Sequence, residues 1–169
     1  MKITESSLID LYQSAVDAFP NTTRRQHATN TIKFTQIRWT PFLGVRTLYV
    51  RGLAQNEGKE YQSIIVFKNV HYHVNDTGNL VTLTTESGEY LLEPISLENA
   101  DVLVRCQCAD FHWRMKHFNA VDRSLQGPDR KKYEALFNPG SANPEEMEGL
   151  CKHLMKMMKV LKESGIFNK

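Results

Sequence analysis

Val102-Leu103-Val104-Arg105-Cys106-Gln107-Cys108 reads as an apolar, β-branched strand running straight into two spaced cysteines, and Cys151-Lys152-His153 answers it after residues 109–150. The two motifs use all three cysteines of the chain. Residues two apart share one face of a strand but lie about 200° apart around a helix. Cys106 and Cys108 can therefore point the same way from a strand end, and a bend after the strand brings their sulfurs together. Cys151 and His153 cannot both be mid-helix ligands. They converge if Gly149 breaks a helix begun at Pro144, leaving Cys151 ahead of the final helix and His153 in its first turn, where the dipole favours thiolate.

Three thiolates and one imidazole make a closed Cys3His set, the arrangement of structural rather than catalytic zinc, with one ion per chain. Such an ion would cross-link the last strand to the last helix and contribute several kcal/mol of folding energy. Two competing readings remain open at this level. The cysteines can be small buried hydrophobes with His153 packed beside Met157, or Cys106 and Cys108 can form a disulfide, which would be strained and out of place in a reducing compartment.

Working back from the strand, the chain is β-rich. Val45 to Val50, Tyr61 to Lys68, Val70 to Val74, Leu80 to Thr85 and Tyr90 to Ile95 are short runs rich in β-branched and aromatic residues, as is the alternating start at Thr31. Turn residues separate them: Thr40-Pro41-Phe42-Leu43-Gly44, Gln55-Asn56-Glu57-Gly58, Asn75-Asp76-Thr77-Gly78-Asn79 and Glu86-Ser87-Gly88-Glu89. Ile64-Ile65-Val66-Phe67 is apolar on both faces, so its strand should be central. The expected fold is α+β, with an antiparallel meander curled as a small barrel or sandwich.

Ahead of the strands, Leu8, Leu11, Tyr12, Ala15 and Phe19 form an amphipathic helical stripe, with Thr4 or Ser7 as cap, Ser7 and Asp10 at capping-box spacing and Pro20 as a stop. Residues 21–30 are polar and read as loop. Beyond Cys108, Ala109 to Ala120 suggests a short helix whose apolar positions fit neither period. Asp122 to Ala142 is an excursion with one helical turn around Tyr133 to Leu136. Leu154, Met157, Met158 and Leu161 mark the final helix. Residues 1–104 should be helix plus sheet, and 105–169 a zinc-closed subdomain packed with it as one unit.

Cys-x-Cys followed at a distance by Cys-x-His resembles the SWIM-type zinc finger, in which the first pair sits on a β-hairpin and the second opens a helix. The wider frame, Cys106-Gln107-Cys108-Ala109-Asp110-Phe111-His112-Trp113-Arg114 with Asn143-Pro144 and Gly149-Leu150-Cys151-Lys152-His153-Leu154, is similar to a group of tailed-phage proteins, some of them virion structural components. The resemblance implies Cys106, Cys108, Cys151 and His153 as ligands, protein partners in an assembly that can include further copies of the chain, and a place in the virion or host cytoplasm. Its alternative is a SWIM-type adaptor binding DNA or protein.

Other candidates carry weaker signals. Asp110 and His112 follow the cysteines closely enough to orient His153 or another ligand. Arg114, Lys116, Arg130, Lys131 and Lys132, interleaved with Phe111, Trp113 and Phe118, have the ingredients for phosphate contact and base stacking, though acids are interspersed. His71 and His73 share a strand face that a metal can use only with a third ligand. The formal charge of +2 is too small to argue for nucleic acid. Residues 105–169 nevertheless hold twelve Lys or Arg against eight Asp or Glu. No phosphate loop, Gly-x-Ser-x-Gly or His-Glu-x-x-His is present, so the reading is non-enzymatic. No run approaches the ~20 apolar residues of a membrane span, and the start lacks signal-peptide character, so the chain is not expected to be secreted.

Overall fold

A computed structural model describes residues 6–18, 31–128, 143 and 147–167. Helix α1 (Leu8–Ala18) starts on a reciprocal cap: the Ser7 N–H donates to Asp10 Oδ2 at 3.1 Å and the Asp10 N–H to Ser7 Oγ at 3.2 Å. Its stripe buries Leu8, Leu11 and Ala15 in the core. The Pro20 stop, the 21–30 loop, the helical turn at 133–136 and the helix start at Pro144 lie outside the described residues.

Strands β1 (Lys33–Phe42), β2 (Thr47–Asn56) and β3 (Lys59–Phe67) form an antiparallel meander. Glu57 and Gly58, both at positive φ (52° and 77°), make the two-residue hairpin turn whose twist matches that of the flanking strands. The sequence reading placed a break at Thr40 to Gly44, but β1 runs through Pro41, which sits opposite Leu48. Proline is tolerated there because β1 is the sheet edge and its missing N–H takes no bond from the ladder. A short 3-10 turn (Leu43–Val45) follows.

The meander then breaks. Strands β4 (Tyr72–His73), β5 (Val81–Thr85) and β6 (Gly88–Leu92) form a separate sheet in the order β4-β6-β5, and β7 (Val102–Cys106) returns to pair antiparallel with β3. The four-stranded sheet is therefore ordered β1-β2-β3-β7, which puts the doubly apolar β3 between two neighbours. The two sheets do not close into a barrel. Inward side chains of both sheets, α1 and the last helix share one hydrophobic core.

After β7 the chain makes a π-helical turn (Phe111–Met115) that passes directly into helix α2 (Lys116–Asp122). The extra residue per turn explains why residues 109–120 fit neither the helical nor the strand period. Helix α3 (Lys152–Glu163) closes the fold, burying Leu154, Met157, Met158 and Leu161 as its periodicity requires. No helix among the described residues is long and apolar enough to cross a membrane.

Candidate metal centre

Cys106 is the last residue of β7, paired with Ser63 of β3, and its Sγ lies 3.4 Å from Ser63 Oγ. One residue further on the ladder is continued by a side chain. The Gln107 N–H donates to the Gln62 carbonyl at 3.1 Å, and Gln107 Oε1 accepts the Gln62 N–H at 2.9 Å. The amide thus satisfies the β3 backbone while the main chain bends away, and Cys108 turns back toward Cys106. Cys108 Sγ accepts the Phe111 N–H at 3.3 Å, which anchors the π turn on the cysteine.

On the other side, Cys151 is the extended residue that precedes α3 (φ −76°, ψ 170°), and His153 stands in the helix's first turn, as the two-residue spacing requires. Gly149 stands in a non-helical run, 147–151, and also serves close packing. A Cβ there would lie 2.9 Å from Ala15 Cβ of α1 and 3.3 Å from Met115 Cε, so glycine is needed for close approach. Its backbone is clamped by Asn119, whose Nδ2 donates to the Gly149 carbonyl at 2.9 Å while the Gly149 N–H donates to Oδ1 at 2.8 Å. Asn143 Nδ2 likewise ties the Arg114 carbonyl (2.9 Å) to that of Met147 (2.7 Å). Two buried asparagines therefore deliver Cys151 to the end of β7.

The result is one cluster. Cys106, Cys108, Cys151 and His153 are all buried, and their donor atoms lie within 4.8 Å of one another. All three cysteines are free thiols rather than disulfides. His153 is only 2% exposed, stacks at a tilt on the Tyr61 ring (4.7 Å), and neither of its ring nitrogens has a hydrogen-bond partner. A buried polar group left unsatisfied costs about 1–3 kcal/mol, so a bare imidazole in this setting is an unstable arrangement. Four donors of these types at this separation can hold a metal ion, and a bond to one ring nitrogen would remove the largest part of that penalty.

The thiols differ in acidity for identifiable reasons. Burial pushes the Cys106 thiol up, but hydrogen bonds from Cys108, Cys151 and Ser63 outweigh it and hold Cys106 well below the usual thiol range. Cys108 is raised, first by its bond to Cys106. Cys151 is raised well above the thiol range, by burial and then by its cysteine neighbours. Cys106 is thus the sulfur that most favours thiolate, and a metal must displace the protons that the others hold.

The other sequence-derived candidates fall elsewhere. Asp110 makes a two-pronged ion pair with Arg114 (2.9 and 2.7 Å), and His112 Nδ1 lies 3.3 Å from Lys116 Nζ; neither reaches a ring nitrogen of His153. Arg114 and Lys116 are buried (2% and 5% exposed) instead of facing a phosphate. Arg130, Lys131 and Lys132 lie outside the described residues. His73 Nε2 sits 3.3 Å from Glu93 Oε1, His71 is exposed, and among the described residues no metal-holding group includes either. Of the asparagines that position the site, Asn119 carried no sequence signal, and Asn143 entered only through the Asn143-Pro144 pair of the motif frame. No protein family, curated protein or solved structure matches the chain.

Proposed function

We propose that the four-donor cluster holds a structural zinc ion, and that the protein is a non-enzymatic component of a larger assembly, of which a tailed-phage virion is the one its motif frame resembles. The observation that carries the metal reading is His153, buried with both ring nitrogens unpartnered beside three buried sulfurs. Zinc is the ion that thiolate-rich N/S sets of four favour. Bonds of about 2.0–2.3 Å in a tetrahedron put donors roughly 3.3–3.8 Å apart, so a contraction of about 1 Å in the widest separation would complete the shell.

Four protein donors would leave no position for water or substrate, which supports a clasp over a reaction centre. The ion would join the end of β7 to the start of α3. The SWIM-type adaptor alternative gains no specific observation, and two of its proposed phosphate contacts, Arg114 and Lys116, are buried. Metal analysis of the chain purified without an affinity tag should find about one zinc per chain, and the chain should co-sediment with assembled particles from its source. A folded chain free of metal would overturn the zinc reading. A zinc-loaded chain that never enters particles would overturn the assembly role alone.

A further inference from the structure

The strand register sets arginines in a row that the linear sequence conceals. Burial alternates along β2, with Leu48, Val50, Gly52 and Ala54 inward and Tyr49, Arg51 and Leu53 outward. Arg38 of β1 is paired with Arg51, Arg51 with Ile64 of β3, and Ile64 with Arg105 of β7. Three arginines therefore share one register line across the outer face of the sheet, with Ile64 between Arg51 and Arg105; the Arg105 guanidinium is tied to the carbonyls of Gln126 and Pro128, which leaves Arg38 and Arg51 as the exposed pair. Arg38 and Arg51 are direct neighbours, a like-charge pairing that costs stability, eased in part by Arg51 lying over the Tyr49 ring at 5.5 Å. The flanking rows, Gln36-Leu53-Gln62 and Thr40-Tyr49-Val66-Leu103, hold no carboxylate. Arg38 has an acidic neighbour, Glu86 at 3.8 Å, and that pair is largely exposed.

The opposite charge gathers on the other side of the sheet. Asp10, Asp17, Glu98, Asp101, Asp122 and Glu148 surround an open depression beside α1, and none of the described residues lining it is a lysine or arginine. Burial, and then the charges of Glu148 and Asp10, push the Asp122 carboxyl above its usual range, as expected where acids crowd. Since α1 packs its apolar stripe into the core that the inward side of the sheet also enters, this depression and the arginine row face away from each other. They cannot meet within one copy.

We infer that the arginine row on the outer sheet face docks the acidic depression of a second copy of this chain, giving a head-to-tail contact that repeats into a ring or filament. This rests on the assembly reading and deepens it by naming the chain itself as a partner. The contact is heterologous, so each copy keeps one free face of each sign and growth continues until it closes. Four strands about 4.8 Å apart and about 30 Å long present roughly 450 Å² of flat face. That is below the ~800 Å² per partner of a stable complex, so the free protein should associate weakly and in a salt-sensitive way.

Sedimentation velocity at about 100 µM protein tests the inference at low and high salt. The wild type should form oligomers in about 50 mM salt and revert to monomer in about 500 mM. Arg38→Glu with Arg51→Glu, and separately Asp17→Lys with Glu98→Lys, should each be monomeric. Mixed in equal amounts, the two variants should associate again, because the intact arginine row of the second meets the intact depression of the first and the two reversed faces are also opposite in charge. Arg38→Gln with Arg51→Gln gives a milder version should the reversal perturb folding. Wild-type protein that stays monomeric at low salt, reversed variants that associate like wild type, or a mixture that stays monomeric would each overturn the inference. So would a monomer that binds a single-stranded oligonucleotide through Arg38 and Arg51, which would make the face a nucleic-acid platform. Zinc content and particle co-sedimentation are read independently, so failure here is distinct from failure of the proposed function.

Discussion

The β2–β3 hairpin and the segment from Gln107 to His153 meet at the same cysteine-bearing strand end, yet they are held by different means. The hairpin is an unbroken ladder from Leu48 opposite Phe67 to Asn56 opposite Lys59, closed by a turn whose backbone suits it. Its order comes from local pairing and a buried face. Among its described residues the second region has an isolated bridge, Leu125 beside Val104, and no strand ladder. Its described parts are joined by side chains reaching to backbone, Gln107 to Gln62, Asn119 to Gly149 and Asn143 to Arg114 and Met147, and by the four-donor cluster. Local periodicity builds the first region, whereas a few point contacts between residues distant in sequence build the second.

The contrast breaks most visibly at the cluster. Cys151→Ala should abolish metal binding and destabilise the chain by about 4 kcal/mol or more. Hydrogen exchange should show early loss of protection in α2 and the first turn of α3, with the β2–β3 amides still protected. Equal loss in both regions would show that the two are not separable. Gly149→Ala should cost about 2–3 kcal/mol in denaturant unfolding, because the added Cβ falls 2.9 Å from Ala15 Cβ. The paired change Ala15→Gly should recover part of that cost, which separates the contact from a general backbone effect.

A step smaller, Asn119→Ala should lose about 2 kcal/mol, since it leaves both polar groups of the Gly149 backbone buried without a partner. The metal should not be lost outright; its affinity should weaken as Cys151 is held less firmly. The pH dependence of metal binding has a definite sign. Cys108 and Cys151 are raised, by the neighbouring sulfur and by burial respectively, so the folded cluster still holds protons that a metal must displace. Binding then releases protons, and competition with a chelator should find affinity rising as pH rises through the neutral range. A flat profile would show that the thiols are already ionised. Smallest of all, Ser7→Ala should cost about 1 kcal/mol through the lost α1 cap and leave the metal untouched.

The same division decides what could be read in advance. Helix α1, the β2–β3 pair and α3 were legible because their periods are local, and the spacing of Cys151 and His153 was enough to place them at a helix start. Pro41 misled because its effect depends on whether the strand is an edge, which is a fact about pairing. The return of β7 to β3, past a separate three-stranded sheet, is a long-range choice that no local pattern records. The π turn defeated a periodic reading of residues 109–120 for a physical reason, its one extra residue. Asp110, His112, Arg114 and Lys116 looked like groups serving a ligand and instead pair with one another at i,i+4 spacing. The arginine row became visible only once register placed Arg38 beside Arg51, with Arg105 two strands away on the same line.

Cobalt(II) substitution followed by visible absorption tests the metal clasp most directly. The folded chain should take up about one cobalt per chain, with the intense d–d bands of a tetrahedral ion and thiolate charge-transfer absorption, both of them lost in Cys151→Ala. A chain that is folded and protease-resistant yet takes up no cobalt, or gives only the faint spectrum of an octahedral aqua ion, would contradict it.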